Sequence, residues 1–160
     1  MKSKFFVRQE PKKFFISFKD RTGESYATHL YYFLKEDCAV DVFYSNKELL
    51  YDVKRGEWEV QIDDALNLSK VFILIVTPTT NISEKIKKEL NYALNKNGVE
   101  VYYFIHENIW NVKEQTIIKL EGKEIDLKKS QCKCFKDEVD LANKVYATIP
   151  MIKSIQYSNK

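Results

Sequence analysis

The stretch from Val71 to Leu94, VFILIVTPTTNISEKIKKELNYAL, constrains the fold more than any other part of the chain. Val71 to Val76 is an unbroken apolar run, rich in β-branched residues and too short to cross a membrane. Such a run reads as a strand buried on both faces, as in a parallel sheet covered by helices. Thr77-Pro78-Thr79-Thr80-Asn81 ends it, and Asn81 or Ser83 can cap a helix that begins at once. In that helix Ile82, Ile86, Leu90, Ala93 and Leu94 fall at helical spacing and form one stripe. Glu84, Lys87 and Lys88 point well away from the stripe, whereas Glu89 lies about 70° from its centre, the nearest of these charges. A carboxylate at that edge, on a helix following a central strand, sits where α/β proteins keep their ligand crevice. Taken alone, the same geometry describes a solvated glutamate, which is the commoner case.

A chain of 160 residues is long enough for one domain with a real core, and its 44% hydrophobic and 31% charged residues are those of an ordinary globular protein. The formal net charge of +3 is too small to argue for a nucleic-acid partner, and none is expected. No apolar run of about eighteen residues occurs, so no transmembrane helix is expected. The first residues, MKSKFFVRQEPKKFF, lack the apolar region and cleavage site of a signal peptide, so the expected location is the cytoplasm. Cys132-Lys-Cys134 is too closely spaced for an easy disulfide, and with two histidines no zinc set is apparent. Cys38, Cys132 and Cys134 read as buried or half-buried thiols, and no metal is expected. No Gly-rich phosphate loop is present, which excludes a dinucleotide fingerprint and a Walker motif.

Taken in order, residues 1–12 read as an N-terminal arm, 13–150 as the domain and 151–160 as a C-terminal tail. Phe14 to Phe18 is a first strand, followed by a polar loop, Lys19-Asp20-Arg21-Thr22-Gly23. Tyr26, Leu30, Phe33 and Leu34 mark a first helix and Val40 to Tyr44 a second strand. After a long mixed-charge connection from Ser45 to Gly56, Trp58, Ile62, Ala65, Leu66 and Ser69 share one side of a second helix. The Glu89 helix ends at Asn97-Gly98, and Val99 to Ile105 is a fourth strand. This β-α-β-α-β-α-β order gives a parallel sheet with helices on both faces. Ile117, Ile118 and Leu120, then Glu121-Gly122, then Ile125 and Leu127 read as a hairpin insertion near the C-terminus. Cys134-Phe135 reads as a short last strand, and Val139 to Ile149 as a final helix stopped by Pro150.

These pieces, from about Lys13 to Phe104, together resemble the TIR domain, the Toll/interleukin-receptor type of signalling module, in its single-domain bacterial or archaeal form. Phe14-Phe15-Ile16-Ser17-Phe18 with Asp20 is similar to the family's first-strand box. Val42-Phe43-Tyr44 with Gly56 and Trp58 is similar to its second strand, BB loop and following helix. Ile62, Ala65-Leu66, Ser69 and Phe72 to Val76 with Thr77-Pro78 is similar to the next helix and third strand. Glu89-Leu90 with Ala93 is similar to the end of its Ser-x-Trp-Cys-x-x-Glu-Leu box. The chain departs from the family at Lys85, where the box has tryptophan, at Ile86, where it has cysteine, and at Ser45, where an acidic residue is usual. The spacing from Gly56 to Trp58 is one residue short.

The resemblance implies a flavodoxin-like three-layer α/β sandwich. It implies an enzyme that cleaves the nicotinamide–ribose bond of NAD, as a glycohydrolase or a cyclase making cyclic ADP-ribose products, with NAD as substrate and no cofactor. The family's catalytic glutamate falls on Glu89. Ser17, Phe18, Lys19, Asp20, Ser45, Arg55 and Lys85 would be the substrate-binding walls, with Lys54 or Arg55 near the diphosphate. The chemistry suits a carboxylate: cleavage builds positive charge on the ribose, and a fixed anion stabilises it. Trp58 is better placed for core packing than for stacking on a substrate. In the setting so implied, antiviral defence against phage, such a domain depletes NAD or makes a nucleotide signal for a separately encoded effector. A different class of reading is a non-catalytic module working by TIR–TIR self-association through Leu49, Leu50 and Tyr51. A third is an enzyme like the nucleoside deoxyribosyltransferases.

Overall fold

A computed structural model describes residues 13–44, 55–78 and 82–158. Five strands, β1 (Lys13–Phe18), β2 (Asp41–Phe43), β3 (Ser69–Val76), β4 (Glu100–His106) and β7 (Cys132–Phe135), form one parallel sheet in the order β2-β1-β3-β4-β7. Between β4 and β7 the chain makes a separate antiparallel hairpin, β5 (Ile117–Leu120) and β6 (Lys123–Asp126), turned at Glu121-Gly122. Gly122 has φ +72°, a conformation that glycine adopts at no steric cost. The fold is thus the expected flavodoxin-like sandwich with its hairpin insertion.

The alternation of side chains along the strands sorts the core into two layers. Phe14, Ile16, Phe18, Val71, Ile73, Ile75, Tyr102 and Phe104 face α1 (Asp20–Tyr32), α4 (Glu138–Thr148) and α5 (Pro150–Ser158). Phe15, Phe72, Leu74, Val76, Tyr103 and Ile105 face α2 (Arg55–Leu68) and α3 (Glu84–Asn95). Val71 to Val76 is therefore buried on both sides, which is why its sequence is a continuous apolar run rather than an alternating one. Among the described residues, no helix is long and apolar enough to cross a membrane.

Three boundaries differ from the sequence reading. The segment Lys19 to Gly23 is not a loop: α1 begins at Asp20, and the Gly23 N–H bonds the Lys19 carbonyl at 2.8 Å. Its first turn is polar because it caps the end of the sheet instead of packing on its face. Ser69 belongs to β3 instead of the preceding helix, and its hydroxyl donates to the Ala65 carbonyl at 2.7 Å, satisfying the helix end. Residues 151–160 are not a plain tail, because Pro150 opens α5, where its missing N–H costs nothing, and Ile152 is fully buried. The three cysteines are unpaired, with Cys38 buried and Cys132 and Cys134 half-buried.

Candidate active site

The strand order creates a switch point. β1 sends its helix, α1, to one face of the sheet, and β3 sends α3 to the other, so the topological switch point lies between the carboxyl ends of β1 and β3. Open α/β sheets bind ligands at such a point. Ser83 caps α3, its hydroxyl oxygen accepting from the Ile86 N–H at 3.2 Å, and sets the helix start just beyond the strand ends. Ile86, Leu90 and Ala93 then bury their stripe in the core layer that holds Phe15, Phe72, Leu74 and Val76.

Glu89 enters the protein beside that stripe. It is 3% exposed, although Glu84 and Lys88 on the same helix are exposed and Glu84 pairs with Lys87 at 3.6 Å on the outer side. The Ser17 hydroxyl, itself 1% exposed, donates to Glu89 Oε1 at 2.7 Å. Ser17 is the one polar residue of the strand core FFISF, and alternation sends it to the α3 side with Phe15. A buried carboxylate is tolerated when a donor meets it, and a charge-assisted bond of this kind contributes about 1.5–3 kcal/mol.

The rim of the switch point is drawn together from the α1 side. The Thr22 and Thr77 hydroxyls lie 2.6 Å apart in a hydrogen bond between the first turn of α1 and the end of β3. Gly23 lets the first turn of α1 lie close on the end of β1: a Cβ there would stand 3.2 Å from Phe18 Cβ, with Thr77 Oγ1 at an ordinary 3.6 Å. Neither threonine was singled out for the site from sequence, since each becomes informative once the two segments are adjacent.

The other expected walls divide. Phe18 is 3% exposed and tilted against Tyr44 at 5.6 Å, so its ring belongs to the α1-side core, the face opposite Ser17. Lys19 is half-buried at the end of β1, and Lys85 is half-buried on α3, one turn before Glu89. Asp20 opens α1 and Arg55 opens α2, while Ser45, with Leu49, Leu50, Tyr51 and Lys54, and the side chains of Asp20, Arg55 and Trp58 lie outside the described residues. The sequence reading gave no role to His106, which ends β4. It is buried against Tyr26 and Phe135, its Nδ1 accepting from the Asn108 N–H at 3.1 Å.

A separate cleft of about 620 Å³ lies between the outer side of α3 and the hairpin, lined among others by Ile82, Lys87, Lys113 and Ile118, and Glu89 is not part of its wall. Among the described residues no group of His, Cys, Asp and Glu is arranged to hold a metal ion.

The arrangement can hold a fixed anion against a ligand at the switch point. Comparison with solved structures finds the same fold in a CMP N-glycosidase, BcmB, of Clostridium botulinum, with a TM-score of 0.58 and 14% identity over 86% of this chain and 100% of that one. A 2-desoxiribosyltransferase of Leishmania mexicana matches with a TM-score of 0.54 and 14% identity over 87% of this chain and all of that one. The 2-deoxyribosyltransferase of Bacillus psychrosaccharolyticus matches with a TM-score of 0.52 and 19% identity over 86% of this chain and 96% of that one. No curated protein matches by sequence. A family model, TIR domain, matches residues 14–142, a span that takes in β1, the switch point, Glu89 and most of the C-terminal half. The chain belongs to the TIR domain family.

Proposed function

We propose that this TIR domain is an enzyme that cleaves the nicotinamide–ribose bond of NAD, with Glu89 as its catalytic residue. The observation that carries the reading is the burial of Glu89 at the switch point with its carboxylate held by Ser17. The C1′–N bond breaks with its electron pair passing to the ring nitrogen, so nicotinamide leaves neutral and needs no strong acid. Positive charge grows on C1′ and the ring oxygen, and the Glu89 carboxylate lowers that barrier by lying close in a site with little water. Water then bonds to C1′ and gives up a proton, yielding ADP-ribose. In a cyclase a nucleophilic atom of the same ADP-ribose takes that place. Ser17 acts as a positioning residue by fixing the carboxylate's rotamer.

The proposed setting is cytoplasmic defence against phage, with the product depleting NAD or serving as a signal to a separately encoded effector. Purified protein incubated with NAD, with and without lysate of phage-infected cells, should release nicotinamide, and Glu89→Ala should not. Silence in every condition, together with concentration-dependent self-association, would favour the adaptor reading instead.

One observation keeps a second substrate in view. The solved structures sharing this fold include an N-glycosidase of CMP and two 2-deoxyribosyltransferases, names that put their chemistry at a nucleoside sugar. Their likeness supports a fold suited to such substrates. Release of free base from CMP or deoxynucleosides, with NAD untouched, would favour that reading.

A further inference from the structure

Residues 1–12 hold four cations, Lys2, Lys4, Arg8 and Lys12, and one acid, Glu10, so the whole of the chain's +3 excess lies in this segment. Among its cations sit Phe5, Phe6 and Val7. A segment of that make-up is complementary to a surface that is both acidic and aromatic. A groove of about 580 Å³ between α1 and the start of α4 has this character, lined among others by His29, Tyr32, Phe33, Glu36, Asp37 and Glu138. Tyr32 is exposed, and Phe33 is half-buried, edge-on to Tyr146 with ring centres 6.3 Å apart. Glu138 accepts from the Ser25 hydroxyl at 2.9 Å, but among the described residues no cation forms an ion pair with Glu36, Asp37 or Glu138.

The segment joins the fold within reach of that groove. Lys13, which opens β1, is in register with Asp41 of β2, and Asp37 closes the π-helical turn Phe33–Asp37 four residues earlier. One strand spacing and four residues of chain put Asp37 within about 19 Å of Lys13. From Asp37 back to Ser25 the groove follows α1 for about 18 Å. Twelve extended residues span about 40 Å, which covers both stretches.

We propose that residues 1–12 lie along this groove of their own chain, with their lysine and arginine side chains paired to Glu36, Asp37 and Glu138 and the Phe5 and Phe6 rings packed on Tyr32 and Phe33. The docked arm neutralises the acids and covers the rings. A partner that presents lysine or arginine on an apolar segment then has to displace the arm to bind there. The inference is independent of the reading of Glu89.

Chymotrypsin cleaves after Phe5 and Phe6, and its rate on the full chain, relative to that on a free peptide of residues 1–12 with the same sequence, reports docking. The intact protein should be cleaved about tenfold more slowly than its peptide, the protection that three exposed ion pairs can support together. Lys4→Glu with Arg8→Glu, which leaves the described part of the chain untouched, should lose that protection. Glu36→Lys with Asp37→Lys and Glu138→Lys should lose it too, and the two sets combined should regain most of it. Cleavage of the intact protein as fast as its peptide, or protection that survives Lys4→Glu with Arg8→Glu, would overturn the proposal. Failure of the combined variant to regain protection would overturn the assigned groove, and protection that rises with protein concentration would place the arm on a second copy instead.

Discussion

The Ser17 hydroxyl donates a 2.7 Å hydrogen bond to Oε1 of Glu89, tying the first strand to the helix after the third across 72 residues of sequence. The pair is buried, and the hydroxyl is a donor to the carboxylate in a place with little water. Ser17→Ala should therefore leave an inward-turned carboxylate short of a donor and cost about 1–3 kcal/mol in urea unfolding. If Glu89 is catalytic, the same variant should lower kcat by about tenfold with KM little changed, because the carboxylate loses its fixed rotamer. Unaltered stability and kcat would show that the contact positions nothing.

Gly23 lies in the first turn of α1, where exchange for alanine in an open helix would gain about 1 kcal/mol. Here the added methyl meets Phe18 Cβ at 3.2 Å, an atom held by the strand backbone. Overpacking of that kind costs about 1–3 kcal/mol. Gly23→Ala should lower the unfolding midpoint despite its better helix propensity. A rise in the midpoint would mean that α1 can shift off the sheet end freely.

Burial, with a smaller contribution from Asp37, pushes the Cys38 thiol up from near 9 to about 11. Burial likewise pushes Cys132 up to about 12. At pH 8 both thiols are protonated in the folded and unfolded chains, so their contribution to stability is intact. Above pH 9 the unfolded chain releases these protons while the folded one retains them, and stability falls as pH rises through the folded values. Cys38 alone should give a slope of about 1.4 kcal/mol per pH unit between 9 and 11. Urea midpoints at pH 8 and 10.5 should show a drop that Cys38→Ala reduces, and an identical drop in that variant would contradict the assignment.

Helix α5 should be part of the stable core. Ile149 and Ile152 are fully buried, and Gln156 both accepts from the Tyr146 hydroxyl at 2.9 Å and donates to the Asp37 carbonyl at 3.3 Å. Ending the chain after Ile149 removes Ile152, whose burial alone is worth about 1.5–3 kcal/mol. The truncated protein should unfold at lower urea concentration by at least that amount, and an unchanged midpoint would show that α5 is only appended.

What the sequence made legible was whatever has a local signature. Val71 to Val76 read as a strand covered on both sides, and the stripe from Ile82 to Leu94 as the buried side of a helix. Together they put Glu89 at the edge of a buried surface. Its burial was not legible, because the helix alone leaves a glutamate about 70° from the stripe equally able to reach water. The hydroxyl that meets it inside is that of Ser17, a residue with no local signal connecting it to Glu89. The polar first turn of α1 read as a loop for a related reason: it packs on the ends of strands, where no periodic apolar pattern is required. Pro150 read as a stop, and it does end α4, but the same residue suits the first position of the next helix.

The central claim is that the negative charge of Glu89 stabilises a ribosyl cation. Nicotinamide released from NAD by the intact protein and by Glu89→Gln, which keeps the size and the Ser17 contact but removes the charge, tests it most directly. The account predicts release by the intact protein and a loss of at least about a hundredfold in the variant, with its unfolding midpoint little changed. Equal release by the two proteins would contradict it.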